Sequence, residues 1–125
     1  MNIMGIKDMA ADFLRLVASG KVDEAFQKYT DPGMIHHNPY FRGDAESLKA
    51  AMKENAANQP GKIFEVRQAL EEGDRVMVFS RIRNKPEDAG FALVHICRFE
   101  GDRISEMWDV GQQIPDDSPN ENGMF

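Results

Sequence analysis

The chain has a single cysteine, Cys97, in 125 residues, so no disulfide can form within it. No apolar run exceeds four residues, too short to span a bilayer. Where a secretory leader would carry an unbroken apolar stretch, Asp8 and Asp12 intervene. Basic charge is also scarce. Fifteen Lys and Arg against twenty-one Asp and Glu leave a net charge of -6, which argues against nucleic acid or an anionic membrane as the main partner. The standard catalytic strings are missing too: no glycine-rich dinucleotide fingerprint, no P-loop, no HExxH, no CxxC and no GxSxG. What is present is ordinary globular composition, with 42% apolar and 29% charged residues, so disorder is not expected. At this length roughly two-thirds of the unfolded surface is buried on folding, enough for a core without staples. The expectation is one soluble, cytoplasmic domain over residues 1–125.

Helical spacing comes first along the chain. Met9, Phe13, Leu16 and Val17 mark a helix over Ile6 to Ser19 that Gly20 would cap, and Val22 to Tyr29 reads as a second, short helix. Thr30-Asp31-Pro32-Gly33 is turn chemistry, and Met34 to Asn38 is a short extended segment stopped by Pro39. A third helix starts at Asp44, a good N-cap, carries Leu48, Ala51, Met52 and Asn55 along one side, and ends before Gln59-Pro60-Gly61. From Lys62 the period becomes two. Ile63–Glu71, Asp74–Arg83, Phe91–Glu100 and Arg103–Gln112 read as four strands with short connections, hence an antiparallel meander. Helices about 6–58, a sheet about 62–112 and a polar tail over 115–125 make the class α+β. The second strand has apolar residues on both faces. Helices cover one face, and a second copy of the chain is the economical cover for the other, so a homodimer is expected. Eight methionines suit adaptable packing around a cavity or an ordinary core, and Met124-Phe125 would close a pocket, dock, or be a free tail.

The chemistry rests on polar residues inside apolar strands. His95 shares a strand face with Phe91, Leu93, Cys97 and Phe99, as a pocket histidine or a satisfied core one. Ser80 sits similarly among Val76, Val78 and Ile82, where a small filler is the plainer reading. Asp109 follows the only tryptophan, Trp108, at a strand centre, where burying a carboxylate is costly unless it is hydrogen-bonded or protonated. Whether these two meet depends on register. A two-residue turn at Gly101-Asp102 puts His95 opposite Trp108, and one extra residue puts it opposite Asp109; spacing leaves both open. In Ile35-His36-His37-Asn38-Pro39 the two histidines point to opposite faces, and His37, sharing parity with Ile35, is the inward one on this reading. His37, His95 and Asp109 would be a facial triad if they converged, but their spacing does not specify one and no metal is expected.

Ile35-His36-His37-Asn38-Pro39, Val94-His95-Ile96-Cys97-Arg98-Phe99, Ile104-Ser-Glu-Met-Trp-Asp-Val110 with Gln112, and Asn122-Gly-Met-Phe125 together resemble SnoaL-like proteins of the nuclear transport factor 2-like superfamily. The resemblance implies a cone-shaped α+β barrel, a strongly curved antiparallel sheet wrapped around the N-terminal helices with an internal pocket, and dimers through the outer sheet face. It also implies the bulged register. In the polyketide cyclases of that family an Asp on the last strand is the acid/base, assisted by a His on the strand before. By matched motif these roles fall on Asp109 and His95, with His37 and Asn38 as pocket residues; Ser80, Phe91, Trp108 and Gln112 complete the candidate lining. The oxyanion pair of ketosteroid isomerases has no match, since Tyr29 and Tyr40 lie in the N-terminal half and His95 takes an acid's strand position.

The expected function is therefore cofactor-free acid/base catalysis on a small or medium apolar carbonyl compound, an aldol cyclisation or an isomerisation. In it Asp109 takes a proton alpha to the carbonyl, and His95, with His37, donates to the enolate oxygen. Two alternatives stand beside it. One is a non-catalytic dimer that holds an apolar molecule. The other is an epoxide-hydrolase-like enzyme, which needs an Asp-Arg-Asp network that Arg98, of opposite strand parity to His95, does not supply.

Overall fold

The computed structural model describes residues 4–125. Three helices, α1 (Ile6–Ala18), α2 (Val22–Tyr29) and α3 (Ala45–Asn58), accompany five strands, β1 (Thr30–His36), β2 (Ile63–Glu72), β3 (Arg75–Arg83), β4 (Phe91–Glu100) and β5 (Arg103–Gln113). No helix among the described residues is long and apolar enough to cross a membrane. The sequence signals explain the helix ends. Asp44 caps α3 by accepting from the Ser47 backbone N–H at 2.9 Å. After α1, Gly20 takes a positive φ of 88°, and the Gly20 and Lys21 amides bond back to Val17 and Leu16.

The strands form one sheet in the order β1-β5-β4-β3-β2, open between its edge strands β1 and β2. The last four form the expected antiparallel meander. The segment read as a turn followed by a short extended stretch is instead strand β1 from Thr30, running parallel to β5. Two bulges interrupt the antiparallel ladders, and the β1–β5 register also shifts between Thr30 and Ile35. Arg67 is the extra residue in β2, between the Val66–Ser80 and Gln68–Phe79 pairs. Ser105 is the extra residue in β5, between the Phe99–Ile104 and Arg98–Glu106 pairs, and its hydroxyl donates to the Arg98 carbonyl at 3.2 Å. Each bulge strengthens the local twist, which suits a sheet that bends around helices.

The helices pack on the concave side. Phe13, Leu14, Phe26 and Leu48 meet Val76, Val78, Cys97, Phe99, Ile104 and Met107 in one core. Burial pushes the Cys97 thiol up to about 12, so it stays a neutral apolar filler. The tail does not hang free: Phe125 lies against Phe79 on the convex face, ring centroids 5.1 Å apart, with the Arg67 guanidinium over its ring.

Candidate active site

The bulge at Ser105 decides the chemistry of the concave face. Before it Ile104 points inward; after it Met107 and Asp109 do, while Glu106, Trp108 and Val110 turn out. His95 is thereby paired directly with Asp109, as the resemblance implied. A pocket of about 210 Å³ is lined by Asp109 of this pair, while buried His95 is not part of its lining. Asp109 is at its base, Val17 of α1 and Phe41 flank it, and Leu48, Ala51, Met52 and Asn55 form its wall. That wall is the side of α3 that helical spacing picked out. Lys62 and Asn38 complete the lining. A larger cavity of about 600 Å³ adjoins it across Asn55 and Lys62 and is lined by the β3–β4 loop. We take the smaller one as the candidate site because it holds Asp109.

Asp109 is oriented by a chain of hydrogen bonds. Asn38 Nδ2 donates to Asp109 Oδ2 at 3.0 Å, while Asn38 Oδ1 accepts from the Tyr40 amide at 3.0 Å. The Asn38 amide donates to His36 Nδ1 at 3.1 Å, which leaves the hydrogen of this neutral ring on Nε2, donated to the Arg42 carbonyl at 2.6 Å. His36 thus closes the 36–44 loop from within and holds Asn38 over the carboxylate.

His95 is 8% exposed, and its Nδ1 is buried without a hydrogen-bond partner; so is Ser80 Oγ, on the same face one strand away. Burial pulls the His95 imidazole below the ordinary histidine range, only partly opposed by the nearby Asp109 charge. The ring is therefore neutral at pH 7. The sign of its effect on stability follows. Above about pH 6.5 the ring is neutral folded or unfolded; below it the unfolded chain takes the proton first, so stability falls as the pH drops until the folded ring protonates as well. Replacing the imidazole by an apolar side chain removes an unsatisfied buried group. His95→Leu is expected to be at least as stable as the parent at pH 7 and to lose the stability decline between about pH 5 and pH 6.5, read by urea unfolding across pH. An identical decline in the variant would refute the assignment. The carboxylates held low by partners, Asp23 by Lys53 and Lys49, Asp44 by Ser47, and Glu106 by His37 and Arg98, act below that window.

Several expected site residues lie elsewhere. His37 is on the convex face, not the concave one. There its Nε2 bonds Glu106 at 2.6 Å and its ring stacks on Trp108 at 5.0 Å. Strand alternation runs from buried Met34 to buried His36, while Ile35, the residue that anchored the opposite reading, is 47% exposed. A triad of His37, His95 and Asp109 is thereby ruled out geometrically, and no group of three His, Cys, Asp or Glu side chains converges among the described residues. Trp108 is likewise convex, because a register that turns Asp109 inward turns its neighbour out, and the Arg75 guanidinium lies over its indole. Gln112 pairs with Ala92 on that outer face. Phe91 keeps inward parity but reaches only the larger cavity at the sheet's end. Arg98 is convex as expected, bonded to Glu106 and Glu100.

The two adjacent histidines make a direct comparison. His36→Ala removes two part-buried hydrogen bonds of a buried ring and is expected to cost about 1–3 kcal/mol. His37→Ala removes an exposed hydrogen bond to Glu106 and should cost under about 1 kcal/mol. Urea unfolding of the two variants checks the order, and the reverse order would contradict the orientation of this strand.

Comparison with known proteins fits this architecture. None of the curated proteins matches the sequence. Solved structures do. A candidate polyketide cyclase from Acidithiobacillus ferrooxidans is 21% identical with a TM-score of 0.68, over 90% of this chain and 92% of that one. A candidate hydroxylase from Streptomyces galilaeus is 18% identical with a TM-score of 0.72, over 86% and 79%. A SnoaL-like protein of unknown function from Burkholderia thailandensis is 15% identical with a TM-score of 0.71, over 90% and 99%. At these identities the likeness establishes the fold. The family model of the SnoaL-like domain matches residues 10–107, a span that runs from α1 into β5, and the chain belongs to the SnoaL-like family.

Proposed function

We propose that this protein is an acid/base enzyme acting on a small, largely apolar carbonyl compound, with no cofactor in the reaction. The observation that carries the reading is the cross-strand pair: Asp109, oriented by Asn38, beside a neutral, buried His95 with an unpartnered ring nitrogen. Asp109 takes a proton from the carbon alpha to the carbonyl; the electron pair of that C–H bond becomes the carbon–carbon π bond of the enolate as the carbonyl π pair moves onto oxygen. A neutral imidazole N–H donates to the developing enolate oxygen, and in a site poor in water such a donor acts strongly. Return of the proton at another carbon gives an isomerisation. Attack of the enolate carbon on a second carbonyl of the same molecule gives an aldol cyclisation. Both share the first step.

That step can be read without knowing the natural substrate. The protein is incubated with a panel of apolar ketones in heavy water, and deuterium entering the alpha position is followed by proton NMR. Incorporation above the buffer rate, dependent on Asp109, is the expected result. Absence of exchange across the panel would overturn the catalytic reading in favour of a domain that only holds its ligand. Cytoplasmic location and pairing of two copies through the convex face, where Leu70 and Val110 are 58% and 70% exposed, belong to the same proposal. Sedimentation of the purified protein reads the pairing.

A further inference from the structure

Lys62 is the cation that the mechanism above does not use. It lies between the Gln59-Pro60-Gly61 break and the start of β2, lines the Asp109 pocket, and also lines the larger cavity beside it. Its ammonium donates to the side-chain oxygen of Asn55, a neutral partner, and no carboxylate pairs with it among the described residues. Burial alone pulls its ammonium below the ordinary lysine range. Three other lysines do have carboxylate partners: Lys49 and Lys53 both reach Asp23, and Lys28 reaches Asp12. A part-buried ammonium in the pocket lining that is bonded only to an amide still has hydrogen bonds to give, and an anion is the group that takes them best.

The rest of the lining says where such an anion belongs. Asp109 and Lys62 are the two charged residues of the pocket, and they form no ion pair with each other. Between and around them are Val17, Phe41, Leu48 and Met52. A ligand seated there would have its reacting carbonyl at Asp109 and an apolar body along α3. An anionic substituent would be repelled by Asp109 and drawn to Lys62, and it would stay on the pocket side of that lysine, because Glu87, Asp88 and Asp116 line the adjoining cavity.

We propose that Lys62 anchors a carboxylate of the ligand, so that the substrate class is a carbonyl acid rather than a neutral ketone. This rests on the Asp109 pocket being the ligand site. Binding, not turnover, is the measurement that separates the two. Levulinate and phenylpyruvate, each against its methyl ester, are titrated into the full chain and followed by amide NMR shifts of residues 38, 62 and 109. The acids are expected to bind about tenfold more tightly than the esters, a difference of about 1.4 kcal/mol. Lys62→Met, which keeps the aliphatic stem, should erase that preference while leaving ester binding in place, and Lys62→Arg should restore much of it. In Asp109→Asn the preference for acid should grow, because a like charge has gone. Equal binding of acid and ester by the parent, or an unchanged preference in Lys62→Met, overturns the anchor and leaves the pocket assignment standing. Shifts confined to residues outside the pocket overturn both.

Discussion

Asp109→Asn is expected to lower Asp109-dependent deuterium exchange by about 10²–10⁴-fold, the usual worth of a positioned general base. The variant is chosen because it changes chemistry and little else. The amide is nearly the same shape as the carboxylate, and its oxygen can still accept from Asn38 Nδ2, the bond made at 3.0 Å in the parent. Stability should therefore stay within about 1 kcal/mol of the parent. If exchange falls with the unfolding midpoint unmoved, Asp109 is the base. Exchange at the parent rate would place the base elsewhere, and His95, the cross-strand partner of Asp109, would be the next to replace. A large fall in stability together with activity would say instead that the carboxylate is structural.

The second large effect is on folding. Phe13→Ala should cost about 3–5 kcal/mol, the range for deleting a buried aromatic ring. Phe13 is fully buried and meets Phe26 edge-on, ring centroids 5.4 Å apart and planes at 62°. It sits where α1, α2 and the sheet converge, so no neighbour can swing in from solvent to fill the space. Against a total of about 5–15 kcal/mol for a domain, the loss leaves the chain marginal. Urea unfolding measures it, and a loss below about 2 kcal/mol would mean that the site collapses far more readily than its packing implies.

Much of this architecture is legible in the residue pattern, and the failures have physical causes. The α3 wall follows directly from helical spacing, since Leu48, Ala51, Met52 and Asn55 fall on one side of any regular helix. The parity of Ile35 misplaces the histidine pair because it takes Ile35 to be buried. An apolar residue on an edge strand need not be, and Met34 was the sounder anchor. Trp108 as a pocket wall conflicts with Asp109 in the pocket on parity alone, so the bulge that brings Asp109 in sends Trp108 out. The parallel pairing of β1 with β5 joins segments far apart in the chain, and no local signal announces it. Lys62 and the ordering role of His36 depend on where α3 and the 36–44 loop settle, which is a tertiary outcome.

Ser105 bears on how such a site can be inherited or lost. Its hydroxyl is bonded to the Arg98 carbonyl and it does not line the Asp109 pocket, yet it is the one residue that offsets β5 by half a pleat against β4. Every residue from Glu106 onward takes its facing from that offset. The identity of the pocket is thus carried by a count, the number of residues between Gly101 and Asp109, as well as by the letters themselves. Two homologues could share each polar residue of this strand and differ by one residue in that interval, and the first would present an acid to its ligand where the second presents an indole. In comparing members of this fold, the length of the β4–β5 turn and its following bulge is therefore a chemical character in its own right.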